Sequence, residues 1–261
     1  MSEVTLSSPS PALPEFEALF NFRDLGGHPT STGATTAYGQ IFRADGVHRC
    51  AEADITRLEQ IGMSRVIDLR TQRERSEDGC FDEAHHLIDY RHVPVLEEVR
   101  GVAGASSEPR PVEERQLALL DTYRRILSTR GDRLVAVLEL IASAPGPVVF
   151  HCTAGKDRTG LVTALVLSSV GVDDDRIAVD YGRSRDAMDR LVEWYRANRS
   201  EDTTGANLRD DRSSRLLGAD PVWMLTVLAE MRSEFGDAPG YLRAMGASPA
   251  LVDDLRTRLG V

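Results

Sequence analysis

Residues 147–171 constrain this chain more than any other stretch, because they prescribe a strand, a loop and a helix in direct succession. Residues 147–151 (PVVFH) form a short apolar run, as expected of a strand buried on both faces. Residues 159–170 (TGLVTALVLSSV) have the length and apolar content of a buried helix, and Gly171 supplies its stop. A buried strand feeding a buried helix belongs to a layered α/β sheet. Ligands of such sheets bind where a loop leaves the carboxyl end of a strand. The loop at that place reads HCTAGKDRTG, residues 151–160.

The rest of the pattern fits the same architecture. Residues 40–44 (QIFRA) and 64–69 (SRVIDL) are strand candidates, and a further strand is expected over 92–95. Residues 53–61 place Ile55, Leu58 and Ile61 on one helical face, closed by Gly62. RTQRERSEDG, after the second strand, reads as a charged turn. Helices are expected over 113–127 and 132–143, the second ended by the turn-forcing APGP. From 173 to 261 the pattern is helical, and the last helix is expected to start at Ser248 with Pro249 just inside it. The fold class is therefore α/β, a central, mostly parallel sheet flanked by helices, with a helical C-terminal part. Residues 1–15 are expected to form a disordered tail and 97–111 a mobile loop, with 16–261 a single domain free of internal repeats.

Arginine is abundant, yet Lys156 is the only lysine in the chain and lies inside the loop. Arg presents a wide planar fork and Lys a compact point charge, so the loop has no room for a second guanidinium. A net charge of −10 argues against a nucleic-acid partner and requires an anion site to work by focused local charge. No apolar run approaches the roughly 20 residues that span a bilayer, so stable membrane insertion is not expected. The N-terminus lacks a signal-peptide pattern, which points to the cytoplasm, with signal-free export left open. Cys50, Cys80 and Cys152 are too scattered for a disulfide framework or a zinc site, and the first two read as ordinary free thiols. Nothing in the pattern sets the oligomeric state.

The spacing Cys152-x5-Arg158 lets five residues wrap a semicircle of backbone N–H groups around one phosphate, backed by a helix N-terminus. Thr153, Ala154, Gly155 and Lys156 supply that backbone, and Gly155 takes a conformation costly to other residues. The field at the helix start favours a nucleophilic thiolate at Cys152. Arg158 suits a bidentate clamp that follows the phosphoryl group into its transition state. The Thr159 hydroxyl is placed to hydrogen-bond the Cys152 sulfur. Competing loops fail on residues. Lys156 is followed by Asp157, so this is not a Walker-type nucleotide loop, and no G-x-S-x-G elbow occurs. The adjacent His85-His86 pair has no evident ligand partners and reads as a solvated loop.

Besides HCTAGKDRTG, the motifs NFRDLGG (21–27), VIDLR with Glu74 four residues on, DYGRS (180–184) and YLRAMGASPALVDDLRTRLG (241–260) carry a resemblance. Together they resemble the bacterial tyrosine/dual-specificity phosphatase family typified by a mycobacterial secreted tyrosine/lipid phosphatase. The resemblance implies a cysteine-phosphatase fold and no metal or organic cofactor. It implies hydrolysis of phosphotyrosine through a phosphocysteine intermediate, with phosphoserine, phosphothreonine and phosphoinositides as further substrates. Carried onto this chain, it implies Cys152 as nucleophile, Arg158 as clamp, Asp157 as general acid and Lys156 as the contact for additional phosphates of inositol lipids. Some members cover the site with a helical lid. The candidate here lies within 183–235, the amphipathic stretch 185–198 with the Trp223 helix, although ordinary core helices give the same pattern.

Expulsion of an alkoxide or phenolate needs a proton donor within hydrogen-bond reach. No W-P-D-like sequence occurs between residues 90 and 145, which supports Asp157, whereas the adjacent Arg158 favours its anion. Asp68 is the alternative acid, although Asp68, Arg70 and Glu74 fit a bracing network better. Arg23 and Asp24 suit pocket lining and an internal ion pair equally well. Two rival functions reuse the loop. One is a phosphoinositide or phosphoprotein sensor with weak catalysis; the other is arsenate reduction or sulfur transfer, which needs a resolving thiol or a different loop.

Overall fold

This computed structural model describes residues 13–81, 87–96, 112–198 and 218–261. Most of the tail expected over 1–15, the His85-His86 pair, the loop expected over 97–111 and part of the candidate lid lie outside the described residues.

Five strands form one sheet in the order β1-β2-β5-β3-β4. They are β1 (Arg23–Asp24), β2 (Ile41–Ala44), β3 (Arg65–Asp68), β4 (Asp89–His92) and β5 (Val148–His151). Only β1 runs antiparallel to its neighbour. All four residues of β5 are buried, as its central position requires. The period of two sends Val149 to one face with Phe42 and Val66, and Phe150 to the other with Ile41 and Ile67. α1 (Glu52–Gln60) covers the first face through Ile55 and Leu58. α3 (Val112–Thr129), α4 (Gly131–Ala142) and α5 (Asp157–Ser169) cover the second. α5 is buried on nearly every side, which explains a helix without a polar face. α6 (Asp174–Gly182), α7 (Ser184–Asn198), α8 (Pro221–Phe235), α9 (Ala238–Ala244) and α10 (Leu251–Leu259) complete the helical C-terminal part.

Parallel pairing sets Ala44, His151 and Asp68 side by side, with His92 next to Asp68. Four strands therefore end on one line, and the strand order reverses at β5. That is the place in an open sheet where loops separate and leave a crevice.

The structure corrects several boundaries. RTQRERSEDG is not a charged turn, because Gln72–Asp78 form a helix, α2. A capping box nucleates it: Glu74 N–H donates to the Thr71 hydroxyl (3.2 Å) and Thr71 N–H to the Glu74 carboxylate (2.8 Å). The strand expected over 92–95 lies over 89–92, where an edge position tolerates the polar run DYRH. The last helix starts at Leu251 instead of Ser248, because a turn closes first, from Leu251 N–H to the Ser248 carbonyl (3.2 Å). Among the described residues, no helix is long and apolar enough to cross a membrane.

Candidate active site

The loop between β5 and α5 owes its shape to where its carbonyls go. The Cys152 carbonyl accepts from His151 Nδ1 (3.1 Å), and that of Thr153 from Gly46 N–H (3.2 Å) and Arg49 Nη1 (3.3 Å). Asn21 Nδ2 donates to the carbonyls of Ala154 (3.1 Å) and Gly155 (3.0 Å), and Arg43 Nη2 also reaches Gly155 (2.7 Å). Four successive carbonyls are thus tied outward, so the intervening amides face the concave side, as in an anion-binding nest. Gly155 makes this possible: its φ is +66°, and a Cβ there would lie 2.5 Å from the Ala44 carbonyl oxygen. No side chain caps α5, so its first-turn amides stay available to an anion.

A second tier of charge supports the loop. Asp180 in α6 pairs with Arg23 (2.6 Å) and with fully buried Arg43. Burial works against the Asp180 anion, but Arg23 and Arg43 outweigh it and hold the carboxyl well below the usual range. Burial pushes Arg43 down to about 10, against the opposing pull of Asp180 and the Cys152 sulfur. Asp45 accepts from the Phe20 (3.0 Å) and Asn21 (3.0 Å) amides and pairs with Arg49. Arg23 and Asp24 form no ion pair with each other. Asp24 instead anchors its own turn through the N–H groups of Gly26 (2.8 Å) and Gly39 (2.6 Å).

Glu74 fixes the Arg158 guanidinium. Its carboxylate takes Arg158 Nη1 (2.6 Å) and Nη2 (2.7 Å) in a bidentate pair and the Thr153 hydroxyl at 2.6 Å. Burial works against the Arg158 cation, but Glu74 and the Cys152 sulfur outweigh it and hold it above its ordinary range. Asp68, by contrast, is fully buried and saturated by Arg70 Nη2 (2.7 Å), the Arg70 amide (2.9 Å) and the Tyr90 hydroxyl (2.9 Å). Burial opposes its anion too, yet His151 and Arg70 hold the carboxyl well below the usual range. Asp68 therefore braces its strand end through Arg70 and Tyr90.

Lys156 is 2% exposed, with its Nζ 3.4 Å from Asp157 Oδ1 and 5.9 Å from the centre of the Trp223 ring of α8. Asp157 stays partly exposed and accepts from the Tyr123 hydroxyl. The Thr159 hydroxyl is buried with no hydrogen-bond partner among the described residues, so the expected bond to the Cys152 sulfur is not made here. Ala154 packs under α7, against a cluster of Met188, Leu191 and Tyr195, and Arg49 lies 5.2 Å from the Trp194 ring. Cys152 is only 2% exposed. All three cysteines are free; Cys80 is exposed, and burial pushes the Cys50 thiol up. Cys50 packs against the α1 face of the sheet, whereas Cys152 belongs to the opposite core. Among the described residues, no group of three His, Cys, Asp or Glu side chains is arranged to hold a metal.

Reading the sequence alone leaves Arg43, Asn21, Asp45 and Tyr123 without a role. An arginine inside the apolar strand IFRA was the one signal pointing to Arg43, since a fully buried charge needs a partner.

A thiol at the mouth of an anion nest, faced by a braced guanidinium, defines a class of phosphate-ester enzymes. The tyrosine phosphatase family matches residues 14–261, and the chain belongs to it as a protein tyrosine phosphatase. It is 30% identical to the triple specificity protein phosphatase PtpB of Mycobacterium tuberculosis, covering 94% of this chain and 98% of that one. It is 32% identical to a putative tyrosine-protein phosphatase of Cupriavidus necator, over 94% of this chain and 84% of the other. The solved P. aeruginosa TpbA is 16% identical over 86% of this chain and 90% of its own, with a TM-score of 0.32, too low to argue from.

Proposed function

We propose that this phosphatase hydrolyses phosphotyrosine through a phosphocysteine intermediate, and accepts phosphoserine, phosphothreonine and phosphoinositides as well. The observation that carries this reading is the set of four loop carbonyls held by groups outside the loop, an arrangement that supports an anion nest of loop amides beside Cys152. The Cys152 thiolate attacks phosphorus; the S–P bond forms as the P–O bond to the leaving group breaks. Asp157 gives its proton to the leaving oxygen. Water then attacks the phosphocysteine, Asp157 takes the proton back, and the S–P bond breaks to release phosphate and the thiolate. Two of the five N–H donors of Arg158 hold Glu74, so the rest of its fork serves the equatorial oxygens of the phosphoryl group.

Residues 16–261 act in this reading as one domain, with α7 and α8 covering the site. The packing of Ala154 under α7 and of Lys156 under Trp223 supports that cover. Lys156 is the contact for a second phosphate, reached when Trp223 moves aside. The broader substrate range takes support from the likeness to the mycobacterial triple specificity phosphatase. Cys152→Ser tests the chemistry: turnover of an aryl phosphate should fall on the order of 10⁴-fold or more with binding retained, and a rapid quench should trap phosphoenzyme only in the wild type. Full activity of the variant would refute the intermediate.

A further inference from the structure

Asp157, read above as the acid, sits on the first turn of α5 and is partly exposed. What orients it comes from two other helices. Tyr123 of α3 is fully buried and directs its hydroxyl onto Asp157 Oδ1. Tyr181 of α6, also buried, lies with its hydroxyl 2.8 Å from that of Tyr123. Lys156 Nζ lies 3.4 Å from the same Oδ1. A carboxylate only accepts, so Tyr123 donates to Asp157, and its own oxygen is left to accept from Tyr181. Burial, reinforced by Asp157, keeps both phenols well above their ordinary range, so they remain neutral donors.

This chain decides which oxygen of the acid carries its proton. While Asp157 is ionised, Oδ1 receives a hydrogen from Tyr123 and faces an ammonium group that only donates, so the oxygen open to a proton from elsewhere is Oδ2. We propose that Tyr123 is a positioning residue that holds Oδ1 of Asp157, so that Oδ2 alone carries the proton to the leaving oxygen and recovers it from water. The inference rests on the reading of Asp157 as the acid. It assigns a task to two tyrosines deep in the helical layer, 34 and 24 positions from the loop residue they orient.

The test compares phosphotyrosine, which needs its leaving oxygen protonated, with a nitrophenyl phosphate, whose far more acidic phenol leaves without much help. Tyr123→Phe should lower kcat/KM for phosphotyrosine by about tenfold or more, and for the nitrophenyl ester by less than about threefold. Asp157→Asn should show the same contrast at about 100-fold or more. Equal losses on both esters in Asp157→Asn would remove Asp157 as acid, and the inference with it. A contrast in Asp157→Asn without one in Tyr123→Phe would overturn the role of Tyr123 alone. Tyr181→Phe removes only the outer hydroxyl and should show a weaker contrast of the same sign. If Tyr123→Phe does not fold, Tyr181→Phe decides the matter, and equal losses on both esters in it refute the positioning role.

Discussion

Replacing Glu74 by Gln keeps the shape of the brace beneath Arg158 and removes its charge. Burial works against the Glu74 carboxylate, but Arg158, Thr153 and the Thr71 amide outweigh it and bring the carboxyl from 4.5 down to about 2. At about 1.4 kcal/mol per pH unit, that difference corresponds to about 3 kcal/mol of folding stability. The folded value lies below the unfolded one, so this contribution is complete above about pH 4.5 and is lost as the pH falls toward 2. Urea unfolding of wild type and Glu74→Gln, followed by tryptophan fluorescence from pH 7 down to 3, reads it directly. Asp68 and Asp180 titrate in both proteins and cancel, so the stability gap should narrow by about 2 kcal/mol between pH 7 and 3. A gap that stays constant across that range would refute the assignment of the ion pair to Glu74. Activity adds an independent reading, since an unaimed Arg158 should lower kcat/KM for an aryl phosphate by about tenfold or more at neutral pH.

Gly155→Ala places a Cβ 2.5 Å from the Ala44 carbonyl oxygen at a φ of +66°. It should cost about 2 kcal/mol or more and lower Tm by roughly 5 °C in calorimetry, and an unchanged Tm would show that the loop is not held against β2. Lys156→Ala should reduce hydrolysis of an inositol lipid about tenfold more than that of an aryl phosphate, and equal losses would remove Lys156 from the specificity of the site.

The parts of this site that could be read in advance are those whose chemistry is local. Cys152 and Arg158 share one loop, and the strand before it and the helix after it are the context that gives the loop meaning. Helix α2 was legible too, through Thr71 and Glu74 at capping-box spacing, but its density of charge hid it behind the reading of a turn. The partnership of Glu74 with Arg158 spans 84 positions, and that of Tyr123 with Asp157 spans 34. No periodicity announces such pairs, because they depend on which helices meet above the sheet. The polar β4 was misplaced for a related reason. An edge strand is defined by its pairing with β3, and not by a run of apolar residues.

Asp180 reaches Arg23 across 157 positions and Arg43 across 137. A growing chain therefore presents Cys152, Asp157 and Arg158 before the counter-charge of Arg43 has been synthesised. Until α6 arrives, Arg43 has no anion with which to enter the sheet, and a buried cation without one is strongly disfavoured. A partly made chain thus carries the reactive thiol without the floor that shapes its loop. Through Asp180 and Arg43, the settled shape of the loop depends on a helix that is synthesised after it.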